Sequence, residues 1–427
     1  MGEGAILFIL LCVLMFLGVP IAVSLCLSTV FVMVTFLDAN MMSFPQKLFA
    51  GADSFPLMAV IFFMVAGELM LQGGISKRLV NVAKIFLSRV RGSLALISFV
   101  TSGFFGALSG SALATTAAIG GVMYPEMQED GTYDDSFSLT VQAVGGTLGP
   151  MIPPSIPLIL FGMTANASVG SLFAATIVPG IIVCLVYCGV GYFILKRRNM
   201  GTRRYEKPVR KPGEKNIFLD AIWAMLTPVI ILGGIYSGKF SPTESAAIAC
   251  FYAFIVGTFI YKELTPKKLY TALLNATKGS VAVMFLCTCA TFFGWALTLQ
   301  GTTNAIVNYL TTVITNKYLF FIIVDIIVLI AGMFVDGGTI ILLVVPLLYP
   351  TASALGIDLI HLGVVFCIGI AVGNITPPFG ACLFVANGLD KKVKLEKIFR
   401  EVIPFCVAAT ITIFALSMLE PVCTLFA

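Results

Sequence analysis

Charge is what this chain has least of. Only 11% of its 427 residues are Asp, Glu, Lys or Arg, against 59% hydrophobic residues and a mean hydropathy of +1.02. That balance excludes a soluble globular domain. Histidine is almost missing too, His361 being the only one, and a metalloprotease or phosphatase centre within the membrane would lack its ligands. The start, Met1-Gly2-Glu3-Gly4, has no basic region before its apolar run, and no small-residue cleavage site closes that run, so no cleaved signal peptide is expected. The eleven cysteines, Cys287 and Cys289 included, lie almost all within apolar spans and read as small core hydrophobes. The net charge of +5 comes from loop lysines and arginines and does not argue for nucleic acid.

Long apolar runs are what remains. Lipid supplies no water to backbone groups and the runs do not alternate, so the spans are helices and the class is an all-α polytopic membrane protein. Spanning segments are expected at 5–37, 55–72, 136–163, 173–195, 217–237, 243–261, 279–299, 360–388 and 401–425. Segment 5–37 reads as one tilted span or as two joined at Gly18-Val19-Pro20. Two further runs, 93–124 and 319–350, are interrupted near their centres by Ser109-Gly110-Ser111 and Asp336-Gly337-Gly338-Thr339, and read as re-entrant hairpins.

The same unusual text occurs twice, as Leu148-Gly149-Pro150-Met151-Ile152-Pro153-Pro154 and as Val372-Gly373-Asn374-Ile375-Thr376-Pro377-Pro378. Paired prolines remove donors and block the carbonyls one turn back, so both segments are expected to break a membrane helix at mid-depth. Other landmarks recur in the same order. Leu71-Gln72-Gly73 returns as Leu299-Gln300-Gly301 at an offset of 228, Tyr124-Pro125 as Tyr349-Pro350 at 225, and the double proline at 224. An internal duplication follows. It divides the chain into a first repeat, 1–195, a basic linker, 196–216, and a second repeat, 217–427.

Basic residues orient the copies. Segment 75–92 holds Lys77, Arg78, Lys84, Arg89 and Arg91, whereas its counterpart 301–318 holds only Lys317. Lys391, Lys392, Lys394, Lys397 and Arg400 follow the second break, and no charge follows the first over 164–176. Equivalent points therefore face opposite sides, and the repeats are inverted; on this topology 22 of the 26 lysines and arginines are cytoplasmic. Segments 75–92 and 301–318 read as amphipathic arms along the two membrane faces.

A hairpin tip beside a helix break supplies unpaired carbonyls and hydroxyls, which suit a dehydrated hard cation such as sodium. The candidates are Ser109, Gly110 and Ser111 with Gly145, Leu148 and Pro150 in the first half, and Asp336, Gly337 and Thr339 with Gly369, Val372 and Asn374 in the second. The alternative is that these small residues only let helices approach closely. A bare Asp336 carboxylate within the bilayer needs a partner, and a bound cation is the simplest. Glu68 and Asp325 fit helix-to-helix hydrogen bonding or a wet cavity better than ion ligation. Glu244 reads as solvated or as facing a neighbouring subunit. No arginine or lysine lies in the hairpins or breaks, so an anionic substrate would be held by half-helix N-termini and by Ser155, Asn374 and Thr376, with Pro154 and Pro378 beside them, together with the sodium ions.

The tip Phe104-Phe105-Gly106-Ala107-Leu108-Ser109-Gly110-Ser111-Ala112, the stretches Phe55-Pro56-Leu57 and Gly67-Glu68-Leu69-Met70, and the breaks running on to Ser155-Ile156-Pro157 and Phe379-Gly380 resemble the large membrane (M, DctM-like) subunit of TRAP transporters, the tripartite ATP-independent periplasmic transporters of bacteria and archaea. The resemblance covers essentially the whole chain. It implies the cytoplasmic membrane, a transporter rather than an enzyme, sodium-driven uptake of an organic acid such as a C4-dicarboxylate or sialic acid, and an elevator mechanism. The moving domain is then expected to be 93–163 plus 319–388. It also implies a separate small four-helix membrane partner and a periplasmic substrate-binding protein, and it places sodium at Ser109, Ser111, Gly145, Leu148 and Pro150 and at Asp336, Thr339, Gly369, Val372 and Asn374. A self-sufficient sodium/dicarboxylate symporter is the nearest alternative, ahead of a channel or an intramembrane enzyme.

Overall fold

The computed structural model describes residues 3–36, 42–203, 217–314 and 316–426. All regular structure among them is helical, and nine helices there are long and apolar enough to cross a membrane. Most of the basic linker, 204–216, lies outside the described residues.

The chain opens with α1 (Glu3–Phe16) and α2 (Ile21–Phe36), which pack on each other. Segment 5–37 is thus two helices, because Gly18 takes φ +81° and Pro20 follows it, a backbone that no continuing helix permits. Next come α3 (Ser43–Ala52), α4 (Phe55–Gln72) and the arm α5 (Ile75–Leu87). In α5 the apolar spacing buries Ile75, Leu79 and Val82, and Phe86 stays exposed.

The first hairpin is α6 (Ser93–Ser109) and α7 (Ala112–Asp130). At 1.5 Å per residue the 17 residues of α6 reach about 26 Å, short of a full bilayer core. The turn is made by Gly110 at φ +61° and by Ser111, whose hydroxyl caps α7 at Ala114 N–H. The first broken helix follows as α8 (Asp135–Gly146), the single turn α9 (Leu148–Met151) and α10 (Ile156–Ala165). The long α11 (Val169–Arg197) closes this half.

The second half repeats the order. α12 (Ile217–Tyr236) and α13 (Pro242–Ile255, with a wider turn to Ile260) precede α14 (Pro266–Leu299) and the arm α15 (Thr302–Val313). The second hairpin is α16 (Lys317–Phe334) and α17 (Gly337–Ala354). Then come α18 (Leu359–Gly373), the break, α19 (Ala381–Leu389), α20 (Leu395–Met418) and α21 (Glu420–Cys423).

The largest differences from the sequence reading are at α14, α20 and the first hairpin. Helix α14 begins at Pro266 rather than 279, since Thr265 caps it and no breaker intervenes, giving 34 residues or about 51 Å. Helix α20 starts at Leu395 and ends before Pro421, where 401–425 was expected. The first hairpin also runs past Pro125 to Asp130. Glu244 is exposed, as the solvated alternative expected, and it also closes a capping box with Ser241 at the start of α13.

Packing separates two groups of helices. Helix α14 lies against α2, α3 and α4, and α4 against α13, while α11 and α20 pack against each other and against the hairpins and broken helices. The hairpins exchange partners: α10, after the first break, packs on α17 of the second hairpin, and α19, after the second break, packs on α7 of the first.

Candidate functional site

Each hairpin tip meets the break of its own half through glycine. A Cβ added to Gly106 would lie 2.7 Å from Cα of Gly149, and one added to Gly332 would lie 2.9 Å from Cα of Gly373. Neither pair tolerates a side chain, so backbone touches backbone in both halves at equivalent places. Both breaks also carry a cis peptide bond, Pro153–Pro154 and Pro377–Pro378.

In the first half the tip is joined directly to the break. Ile156 N–H donates to the Gly110 carbonyl at 3.4 Å, and Ser109 Oγ lies 2.9 Å from Thr115 Oγ1. Gly145 backs onto the Ser102 hydroxyl, Leu148 O accepts from Ile152 N–H at 3.1 Å, and Pro150 is buried. Ser109, Gly110, Ser111, Gly145, Leu148 and Pro150 are therefore gathered on one seam among α6, α7, α8 and α9. Ser155 is buried and caps α10, accepting from Leu158 N–H at 3.5 Å, next to the buried Pro154.

The second half is more open. Gly337 faces Ile370, and Thr339, Gly369, Val372 and Asn374 are buried, whereas Asp336 and Pro378 are exposed. The Asp336 carboxylate accepts from Gly338 N–H at 3.0 Å and caps α17. A helix N-terminus is thus its partner in this arrangement. Thr376 Oγ1 donates to Val372 O at 2.9 Å, and the Asn374 carbonyl accepts from Cys382 N–H at 3.0 Å. Phe334 and Phe379 bridge tip and break, with ring centroids 5.3 Å apart.

One position escaped the sequence reading. Thr115 is fully buried beside Ser109 and stands 224 residues before Thr339, so the repeat itself could have found it. Glu68, expected to make a helix-to-helix hydrogen bond or to face a cavity, does both. It lines a cavity of about 70 Å³ with Ser109, Ser111 and Asn275, and its Oε2 accepts from Asn275 Nδ2 at 3.4 Å. Asp325, in contrast, is a buried acceptor for Ser417 Oγ at 2.8 Å, the helix-to-helix hydrogen bond expected for it.

Ion pairs hold the periphery. Arg78 on α5 bonds Asp220 at 2.9 Å and Glu263 at 2.7 Å, and Lys84 bonds Glu126 of the first hairpin at 2.7 Å. Beyond α19, the Lys392 backbone N–H and then the Tyr124 hydroxyl hold the Asp390 carboxyl below its usual range.

A model of the DctM component of tripartite ATP-independent periplasmic transporters matches residues 8–422. The chain belongs to this family. It is accordingly a multi-pass protein of the inner membrane and a transporter subunit, not an enzyme. Among the DctM-family relatives, the sialic acid TRAP transporter large permease protein SiaM of Vibrio cholerae is 34% identical over 410 residues, covering 94% of each chain. The C4-dicarboxylate large permease protein DctM of Rhodobacter capsulatus is 33% identical over 91% of each. The isethionate permease protein DctMQ of Oleidesulfovibrio alaskensis is 36% identical over 96% of this chain, which spans 64% of its length. The fold is similar to that of the YdaH transporter of Alcanivorax borkumensis, with a TM-score of 0.65 at 14% identity over 88% of this chain and 87% of that one. MtrF of Neisseria gonorrhoeae gives 0.60 at 15% over 87% and 82%.

Proposed function

We propose that this chain is the large membrane subunit through which a small organic anion enters the cell with sodium. The observation that carries the reading is the paired seam, where Gly106 meets Gly149 and Gly332 meets Gly373. At each seam carbonyls and hydroxyls converge where helices stop, the donor set a dehydrated monovalent cation requires. Relatives named for sialic acid, C4-dicarboxylates and isethionate support an anionic cargo. With no lysine or arginine at the hairpin tips or in the breaks, the anion is held by Ser155, Asn374 and Thr376, by the N-termini of α10 and α19, and by the sodium ions. Ion and anion then stabilise each other's binding, which is coupling. An excess of sodium charge draws on the membrane potential, about 2.3 kcal/mol per net charge per 100 mV.

In this reading the two halves are inverted repeats, and the hairpins and breaks slide as one body against α2, α3, α4, α13 and α14. Helices α11 and α20 travel with the moving body, because their packing partners lie within it. A periplasmic binding protein delivers the anion and a small four-helix subunit braces the fixed part. The test is uptake into proteoliposomes of this chain alone, then with its small subunit and binding protein, under a sodium or a potassium gradient. Sodium-dependent uptake only in the complete system is expected. Uptake by the chain alone would make it a self-sufficient symporter, and uptake indifferent to sodium would overturn the coupling.

A further inference from the structure

The cavity beside the first hairpin tip holds a group that the proposed transport cycle has not used. Helix α4 comes closest to the tip at Gly67, where an added Cβ would lie 3.3 Å from Cα of Ser109. One residue on, Glu68 turns its carboxylate into the space of about 70 Å³ bounded by Ser109 and Ser111 on the hairpin and Asn275 on α14. Among the described residues the carboxylate accepts one side-chain hydrogen bond, a long one of 3.4 Å from Asn275 Nδ2 to Oε2. A carboxylate at this depth in an apolar span calls for a cation or a fuller set of donors. Of the serine hydroxyls lining the same space, Ser111 Oγ accepts one N–H at 3.4 Å and keeps a lone pair to spare, while Ser109 Oγ accepts from Ser111 N–H at 3.5 Å and keeps one when its own proton goes to Thr115.

We propose that this cavity is a cation station distinct from the tip-to-break seam, with Glu68 supplying its negative charge. The inference rests on the reading that sodium binds at the first tip, and it goes beyond it by naming a ligand from the opposite side of the sliding interface. The oxygens present are carboxylate, hydroxyl and side-chain carbonyl, all hard donors, and the space admits a small ion with little water. A sodium ion arriving between α4 and the hairpin meets Glu68 before it reaches the buried seam at Gly145 and Leu148. Occupancy also changes the mechanics. A filled station binds the two surfaces together through the ion, a link to the hairpin that the Asn275 contact does not provide. Sodium thereby holds the hairpin against α4 until the ion moves inward.

The experiment needs no substrate. Full-length purified protein is heated in detergent across a series of sodium chloride concentrations, with choline chloride as the matched control, for the wild type, Glu68→Gln, Glu68→Asp and Ser109→Ala. Glu68→Gln keeps an acceptor for Asn275, so a purely structural role survives it. The expected result is that Glu68→Gln melts like the wild type in choline yet needs about tenfold more sodium for half of the stabilising shift, with Glu68→Asp in between. Half-saturation unchanged in Glu68→Gln while Ser109→Ala loses the sodium shift overturns the station and leaves the tip site standing. A sodium shift retained in full by Ser109→Ala overturns the tip site on which both readings depend. Equal destabilisation of Glu68→Gln in sodium and in choline would reduce Glu68 to a helix-packing residue.

Discussion

At the scale of single residues, the small side chains of the seams have duties that can be separated. Gly106 is held by contact, so Gly106→Ala drives a methyl against Gly149 and should cost about 1–3 kcal/mol of stability by overpacking. Gly121 on the same hairpin faces open space, and Gly121→Ala should gain about 0.5–1 kcal/mol from helix propensity. Thermal unfolding of the two variants checks both signs together. For Ser109→Ala and Asp336→Ala, uptake that no longer responds to sodium is the expected outcome, and a full response in both removes these residues from the ion sites. The residue types at the tips and breaks were legible because glycine, serine and doubled proline are rare company inside an apolar run. Asp336 was half legible. Its need for a partner showed in the sequence, but its cap on Gly338 depends on where α17 begins, which composition does not reveal. Thr115 was hidden by its ordinary surroundings, and only its pairing with Ser109 in space gives it meaning.

Among the elements, hairpins and breaks were readable because interruption is a local property of the chain, whereas helix ends set by caps were not. Thr265 starts α14 well ahead of its apolar stretch, and the corresponding first-half segment is cut into α3 and α4 at Ser54, which precedes Pro56. The arm α5 ties two bodies together, since Arg78 holds the α12 and α13 side and Lys84 holds the first hairpin. Lys84 is 5% exposed, so Lys84→Met strands the mostly buried Glu126 and should lower stability by about 3 kcal/mol, read from thermal unfolding. A different dependence is expected at Asp390. Its depressed folded value means the clamp to Tyr124 is present above the ordinary carboxylate pKa of about 3.9 and is lost as pH falls through the folded value. Melting of the wild type in acid should therefore fall more steeply than that of Asp390→Asn.

For the whole molecule, the order of elements was legible from the recurring landmarks, because each landmark falls at the same point in the succession of helices in both halves. What was not legible is which helices pack together. The grouping of α11 and α20 with the hairpins arises from contacts between residues some two hundred positions apart, such as Arg198 with Glu401 at 2.7 Å. Inversion makes a sharp demand: membrane-impermeant amine labels should reach the exposed Lys77 of α5 and Lys317 from opposite sides, and reaction of both from one side removes the alternating-access scheme.

The two breaks also differ in dress. Pro153, Pro154 and Ser155 are sealed, but Phe334 and Phe379 stand 62% and 54% uncovered. A flat apolar molecule resting on the outer faces of those rings would clamp the second tip to its break, so the second break, not the first, is where a blocker should be sought.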